Sequence, residues 1–160
     1  MSFRIVGLDP AHFANLHALS DCELAARGIE RVRVAEKPGA PCRISLDDAE
    51  IGERVLLLSY AHQPAATPYQ QHGPVFVRET EARFDAFGRI PPALRRRTLS
   101  LRGYDFEHKM IEADLTEGAE AEAMIPHFFA NPAMAYIHAH YARRGCFAAR
   151  IDREPLLCAL

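Results

Sequence analysis

The segment Tyr136-Ile-His-Ala-His-Tyr141 holds the side chains best placed to do chemistry. In an extended strand successive side chains point to opposite faces, so Tyr136, His138 and His140 fall on one face. Imidazoles two residues apart stand roughly 7 Å from each other and can converge on a single ion. Two ligands do not complete a zinc site, and the candidates for a third are Cys146, His72 and Cys42. A different chemistry makes Cys146 a candidate catalytic nucleophile, with His138 or His140 as base and Arg144 and Arg150 favouring the thiolate. Against it, a thiol nucleophile works where an oxyanion hole forms, often at a helix N-terminus, and Cys146 follows a hairpin turn.

Arginine supplies a third chemistry. Arg102 and Arg150 lie in strand-like segments, where an unpaired buried charge is costly. Either Asp105, Asp152 or Glu112 neutralises them, or they join Tyr104 and His138 in a ligand-binding pocket for a carboxylate or phosphate. The run Arg95-Arg96-Arg97 lacks interleaved aromatics and reads as a solvated connector, so no nucleic-acid partner is expected. Asp47-Asp48 and the pair Glu79 and Glu81 sit in polar, turn-like contexts and read as surface charge.

These side chains need elements to hold them. Tyr136 to Asp152 reads as two strands joined by a tight Arg143-Arg144-Gly145 turn. Thr98 to Tyr104 and Met110 to Leu115 alternate and suggest another hairpin around Glu107-His108. Gly52 to Tyr60 is the clearest central strand, because its middle is apolar on both faces. The stretch from His62 to His72, rich in proline, alanine and glutamine, reads as a binding loop or lid leading to a strand over Pro74 to Glu79. Phe3 to Leu8 and Ile29 to Val34 are further strands. Asp9-Pro10 starts a short helix reaching about Leu19, and Ser20 or Asp21 caps a second helix ending at Gly28. Glu117 to Phe129 is the best helix, with Pro126 predicting a bend or an early break. Hairpins dominate and helices cluster near the two ends, which predicts an α+β fold: a single domain over residues 1–160 with a mixed, mainly antiparallel sheet.

Composition removes several classes of function. Apolar residues make up 49% and charged residues 25% of the 160-residue chain. These are ordinary globular values, and such a chain buries roughly two thirds of its unfolded surface. A net charge of −2 gives no general attraction to nucleic acid or acidic membrane. Apolar runs such as Val55 to Leu58 are far short of the roughly 20 residues that span a bilayer. With no charged leader before Phe3, the expectation is a cytoplasmic protein whose Cys22, Cys42, Cys146 and Cys158 are reduced thiols. The absence of a glycine-rich strand-to-helix turn argues against nucleotide binding. Leu156 to Leu160 is apolar and suits docking on its own core or on a second subunit of a homo-oligomer.

Four segments in order, Gly52 to Tyr60, Gly73 to Val77, Leu101 to Asp105 and Gly145 to Arg153, resemble the bacterial family catalogued as domain of unknown function 1203. The resemblance covers nearly the whole chain, most clearly Pro41 to Arg153, and implies a small stand-alone protein without an assigned activity or catalytic residues. It also implies two departures: Ser45 where relatives carry a second cysteine, and His140-Tyr141 where they carry arginine and asparagine.

The sequence alone therefore points to a small binding protein. Its sheet face and the His62–His72 loop would enclose a small anionic ligand or a partner peptide, contacted by Arg102, Tyr104, His138 and Arg150. No cofactor is expected on this reading. The alternative is a metal-dependent enzyme that holds zinc through His138 and His140, and a Cys146 thiol enzyme comes third.

Overall fold

The computed structural model describes residues 2–154, and Cys158 and the apolar Leu156–Leu160 tail lie outside that range. Two antiparallel sheets carry the fold. The larger runs in the order β5 (Asp85–Phe87), β1 (Ser2–Val6), β9 (Phe147–Glu154), β8 (Tyr136–Tyr141), β6 (Thr98–Tyr104) and β7 (Met110–Glu117). The smaller pairs β2 (Glu30–Arg33) with β3 (Arg54–Gln63) and β3 with β4 (Gln71–Arg78). Every named strand pair is antiparallel, and the helices are short. This is the α+β class that the hairpin pattern predicts.

One face of the six-stranded sheet is apolar along its central strands. Phe3, Ile5, Leu99, Leu101, Ile137, Ala139 and Ile151 alternate out of their strands into one core. Covering them is α3 (Ala121–Ala130), whose Ile125, Phe128 and Phe129 are buried. Burying each such side chain contributes about 1.5–3 kcal/mol. That anchorage explains why α3 continues four residues beyond Pro126 rather than stopping there, even though proline removes one helical hydrogen bond.

A second core lies on the smaller sheet, where Leu56, Leu58, Val75 and Val77 meet Phe13 and Leu24. Leu24 belongs to α1 (Asp21–Ala25), which begins with a capping box between Ser20 and Glu23. The expected helix from Pro10 to Leu19 is instead two separate 3-10 turns, Pro10–His12 and Ala14–Leu16. The Asp9 side chain accepts from the Ala11 amide and caps the first of them.

The arginine run differs from expectation. Pro92–Arg95 forms a helical turn, α2, and all three guanidiniums are committed to acids. Arg95 pairs with Glu122, Arg96 with Asp47 at 2.9 Å, and Arg97 with Asp48 at 2.6 Å. The Asp48 side chain is wholly buried, so it is the anchor of this region and not a surface charge. Glu81 is likewise buried, accepting from the Ser45 and Arg78 amides at 3.0 and 2.8 Å. Acids that look like turn decoration in the sequence tie loops to the sheets.

The 41–48 loop joins the two sheets, and it passes β1 so closely that only glycine fits at position 7. A Cβ placed there would lie 1.8 Å from the Ile44 carbonyl oxygen. Gly7→Ala is therefore expected to force the backbone apart, at the cost of about 1–3 kcal/mol typical of overpacking. Thermal denaturation checks this: Tm should fall by several degrees, roughly 2–4 °C per kcal/mol. An unchanged Tm would mean that the loop does not lie against β1.

Candidate metal centre

The opposite face of the six-stranded sheet is polar and aromatic, and it is built in rows. Registers β6–β8 and β8–β9 place Arg102, His138 and Arg150 side by side across three strands. Tyr104, Tyr136 and Asp152 form the next row, and Ser100, His140 and Phe147 the row on the other side. The alternation that places Tyr136, His138 and His140 on one face therefore holds, and it also gathers Arg102, Tyr104 and Arg150 there. The Ala139/His140 register shift between β8 and β9 is what lets Phe147 share this face while Ala148 and Ala149 both pack in the apolar core.

A third histidine arrives from the smaller sheet. The β3 strand does not end at Tyr60 but runs to Gln63, with an irregularity between Tyr60 and Gln63 where an extra residue is accommodated. Both His62 and Gln63, beside this irregularity, are buried. The expected His62–His72 loop shrinks accordingly to residues 64–70, because Gln71 and His72 already belong to β4. His62 stacks flat on Phe147, ring centroids 4.9 Å apart, and meets His140 edge-on at 5.1 Å.

His62, His138 and His140 each offer a ring nitrogen, and these three atoms all lie within 4.8 Å of one another. The three residues are 9%, 2% and 0% exposed. His62 Nδ1, His138 Nδ1 and His140 Nε2 are buried and have no hydrogen-bond partner among the described residues. A buried polar atom left unpaired costs about 1–3 kcal/mol, so three in one place call for a ligand. The His140 tautomer is fixed by its surroundings. Its Nδ1 lies 2.8 Å from the Gly145 carbonyl, which can only accept, so Nδ1 carries the proton and Nε2 presents a lone pair.

The imidazoles are held neutral. Burial pushes His138 down to about 2, with His140, His62, Arg150 and Arg102 adding to the effect. Burial likewise pushes His62 down to about 4, assisted by Arg102 and His72. His140 is also pushed down to about 4 by burial, partly opposed by the bond to Gly145. Neutral imidazole is the form that binds metals.

The arginines of this face differ in their commitments. Arg150 donates to Asp152 at 2.8 Å and lies over the Tyr136 ring, 3.9 Å from its centroid. Arg102 makes only long contacts, 3.4 Å to Ser100 Oγ and 3.5 Å to Gln71 Oε1, and no carboxylate pairs with it among the described residues. Arg102 and Tyr104 line a small cavity of about 220 Å³ closed by Tyr69, Gln71 and Met110. Tyr104 itself is buried and stacked on Tyr136 at 5.3 Å, so its part is to position that ring. The Tyr136 hydroxyl accepts from Gln63 Nε2 and bonds His108 Nδ1, both at 2.8 Å.

The other sequence candidates lie elsewhere. Cys146 lines a separate cavity with Tyr141, and its thiol contacts the Arg144 carbonyl at 3.9 Å, not an imidazole. The residue after it, Phe147, takes the place on the histidine face, so the thiol does not join the cluster. Cys42 is fully buried at the smaller sheet, where burial pushes its thiol up to about 12. His72 is exposed on β4. The third candidate ligand is His62, from a stretch expected to be loop.

The model of the family described as a protein of unknown function, DUF1203, matches residues 39–153. The chain belongs to this family. His62, His138 and His140 all fall inside the matched segment. No curated protein and no solved structure matches the chain.

The lowered histidine values fix a pH dependence. In the unfolded chain these imidazoles take up protons near pH 6.5, whereas in the folded protein they resist until about 4 or below. The unfolded state thus binds more protons below about pH 6.5, and folding stability falls as pH drops through that window. Metal-free protein should show a flat Tm between about pH 8 and 7 and a decline from about 6.5 toward 5. His138→Leu combined with His140→Leu should flatten that decline. Equal slopes in both proteins would show that the imidazoles are not held neutral.

Proposed function

We propose that this DUF1203 protein is a metal-dependent binding protein, with zinc held by His62, His138 and His140 and an anionic small molecule held beside it by Arg102. The observation that carries the reading is the convergence of three buried imidazoles, one ring nitrogen from each lying within 4.8 Å of the others, on histidines that each also have a buried nitrogen with no hydrogen-bond partner among the described residues. Nitrogen donors alone suit zinc among the common cellular metals, and three protein ligands leave a fourth tetrahedral position. Neutral donors leave the ion its full double charge, which favours an anion as fourth ligand. Arg102, poorly paired and beside His138 in the sheet, supplies a second positive contact for a carboxylate or phosphate.

The expected anionic-ligand face and the expected histidine metal site are thus parts of one site in this proposal. Should the ion also lower the pKa of a bound water, the same position would serve an enzyme. A cytoplasmic setting is part of the proposal, supported by Cys22, Cys42 and Cys146 standing as free thiols. Among the described residues no helix is long and apolar enough to cross a membrane.

Elemental analysis and thermal denaturation of untagged protein test the reading together. Zinc at about 100 times its Kd stabilises the native state by about 2.7 kcal/mol, or roughly 5–10 °C in Tm. His140→Ala should abolish that shift, and chelation should reverse it in the unsubstituted protein. Less than about a tenth of an equivalent of bound metal, combined with no Tm shift from zinc, cobalt or iron, would remove the proposal.

A further inference from the structure

A second site lies away from the histidines, in a cavity of about 390 Å³ between the β8–β9 turn, the 36–43 segment and the outer face of β3 and β4. Four arginines line it, Arg43, Arg97, Arg143 and Arg144, and Glu36 is the one acid among its lining residues. Arg97 is already neutralised by Asp48, which accepts two of its bonds at 2.6 and 2.9 Å. The other three have no carboxylate partner among the described residues. Arg143 and Arg144 are exposed on the turn, where solvent can hydrate them.

Arg43 cannot be explained that way. It is 2% exposed, and its guanidinium is held by backbone alone: Nε donates to the Phe147 carbonyl at 2.7 Å and Nη1 to the Pro41 carbonyl. No carboxylate accepts from it among the described residues. A buried cation without a counter-charge is costly and is tolerated where something else supplies the charge. A second observation points the same way. The Tyr141 ring is flanked by Arg43 at 5.0 Å and Arg97 at 5.1 Å, and its hydroxyl is buried without a hydrogen-bond partner among the described residues. A buried guanidinium with no carboxylate and a buried hydroxyl with no partner thus lie beside a cavity whose rim adds two more cations.

The remaining wall is apolar, formed by Leu57, Pro74 and Phe76. We infer that this cavity binds a small molecule with a dianionic head group and a compact apolar body, a phosphate monoester in chemical class. Guanidinium groups match phosphate oxygens in planar, two-bond geometry, and the charge left over by three unpaired arginines calls for more than a monoanion. The volume exceeds what a bare phosphate fills, and the apolar wall gives the rest of the molecule a surface to bury. No metal ion takes part in this recognition.

Calorimetric titration of the full chain with phenyl phosphate, in the presence of chelator, tests the inference independently of the histidine site. Phenyl phosphate should bind at one equivalent, more tightly than inorganic phosphate or benzoate, and more weakly as salt rises. Arg143→Ala combined with Arg144→Ala should weaken it by about tenfold or more while leaving Tm unchanged. If the double variant loses its fold, the single variants Arg143→Ala and Arg144→Ala carry the same comparison. The inference is overturned if phenyl phosphate shows no saturable binding, if phenol binds as well, or if folded variants bind it with unaltered affinity.

Discussion

The constraint on which this molecule depends is the burial of three neutral imidazoles where its two sheets meet. His138 and His140 belong to the middle of the larger sheet, and His62 reaches them from the smaller one, stacked on Phe147. An apolar trio in the same places would seal the seam without leaving nitrogens unpartnered. Histidine instead imposes a desolvation cost that packing does not require. The seam is therefore where structure gives way to chemistry, and the neighbouring rows of arginine and tyrosine extend that chemistry along the sheet.

Several departures from simple patterning serve this seam. The irregularity in β3 turns two consecutive residues inward and brings His62 and Gln63 together to the larger sheet. The register shift in β8–β9 brings Phe147 under His62 and leaves Cys146 on the other side with Tyr141. Each is a single extra residue in a hairpin, a device that re-aims side chains at little cost to pairing. Gln63 then holds the Tyr136 hydroxyl, which fixes the aromatic row next to His138.

How much of this the sequence discloses depends on whether the information is local. His138, His140, Tyr136, Arg102 and Arg150 could be assigned to one face because they sit in regular strands, where period two holds. The fold class was legible for the same reason, through turn residues such as Gly145, whose positive φ of 74° closes the last hairpin. His62 was not legible: the proline-rich stretch that follows it resembles loop, and the irregularity breaks the alternation at the decisive residue. Asp48 and Glu81 were misread as surface acids because their partners, Arg97 and a set of loop amides, lie far away in sequence. Strand order, too, is a long-range property. Nothing local says that β1 enters between β5 and β9.

That insertion of β1 has a practical consequence. The family match begins at residue 39, yet Ser2–Val6 is an interior plank of the six-stranded sheet, bonded on both edges. Phe3 and Ile5 also plug the layer beneath α3. A fragment cut to the matched boundaries would split the sheet in two, with raw hydrogen-bonding edges on β5 and β9 and a hole under the helix. The segment recognisable by similarity is thus smaller than the sheet to which it belongs.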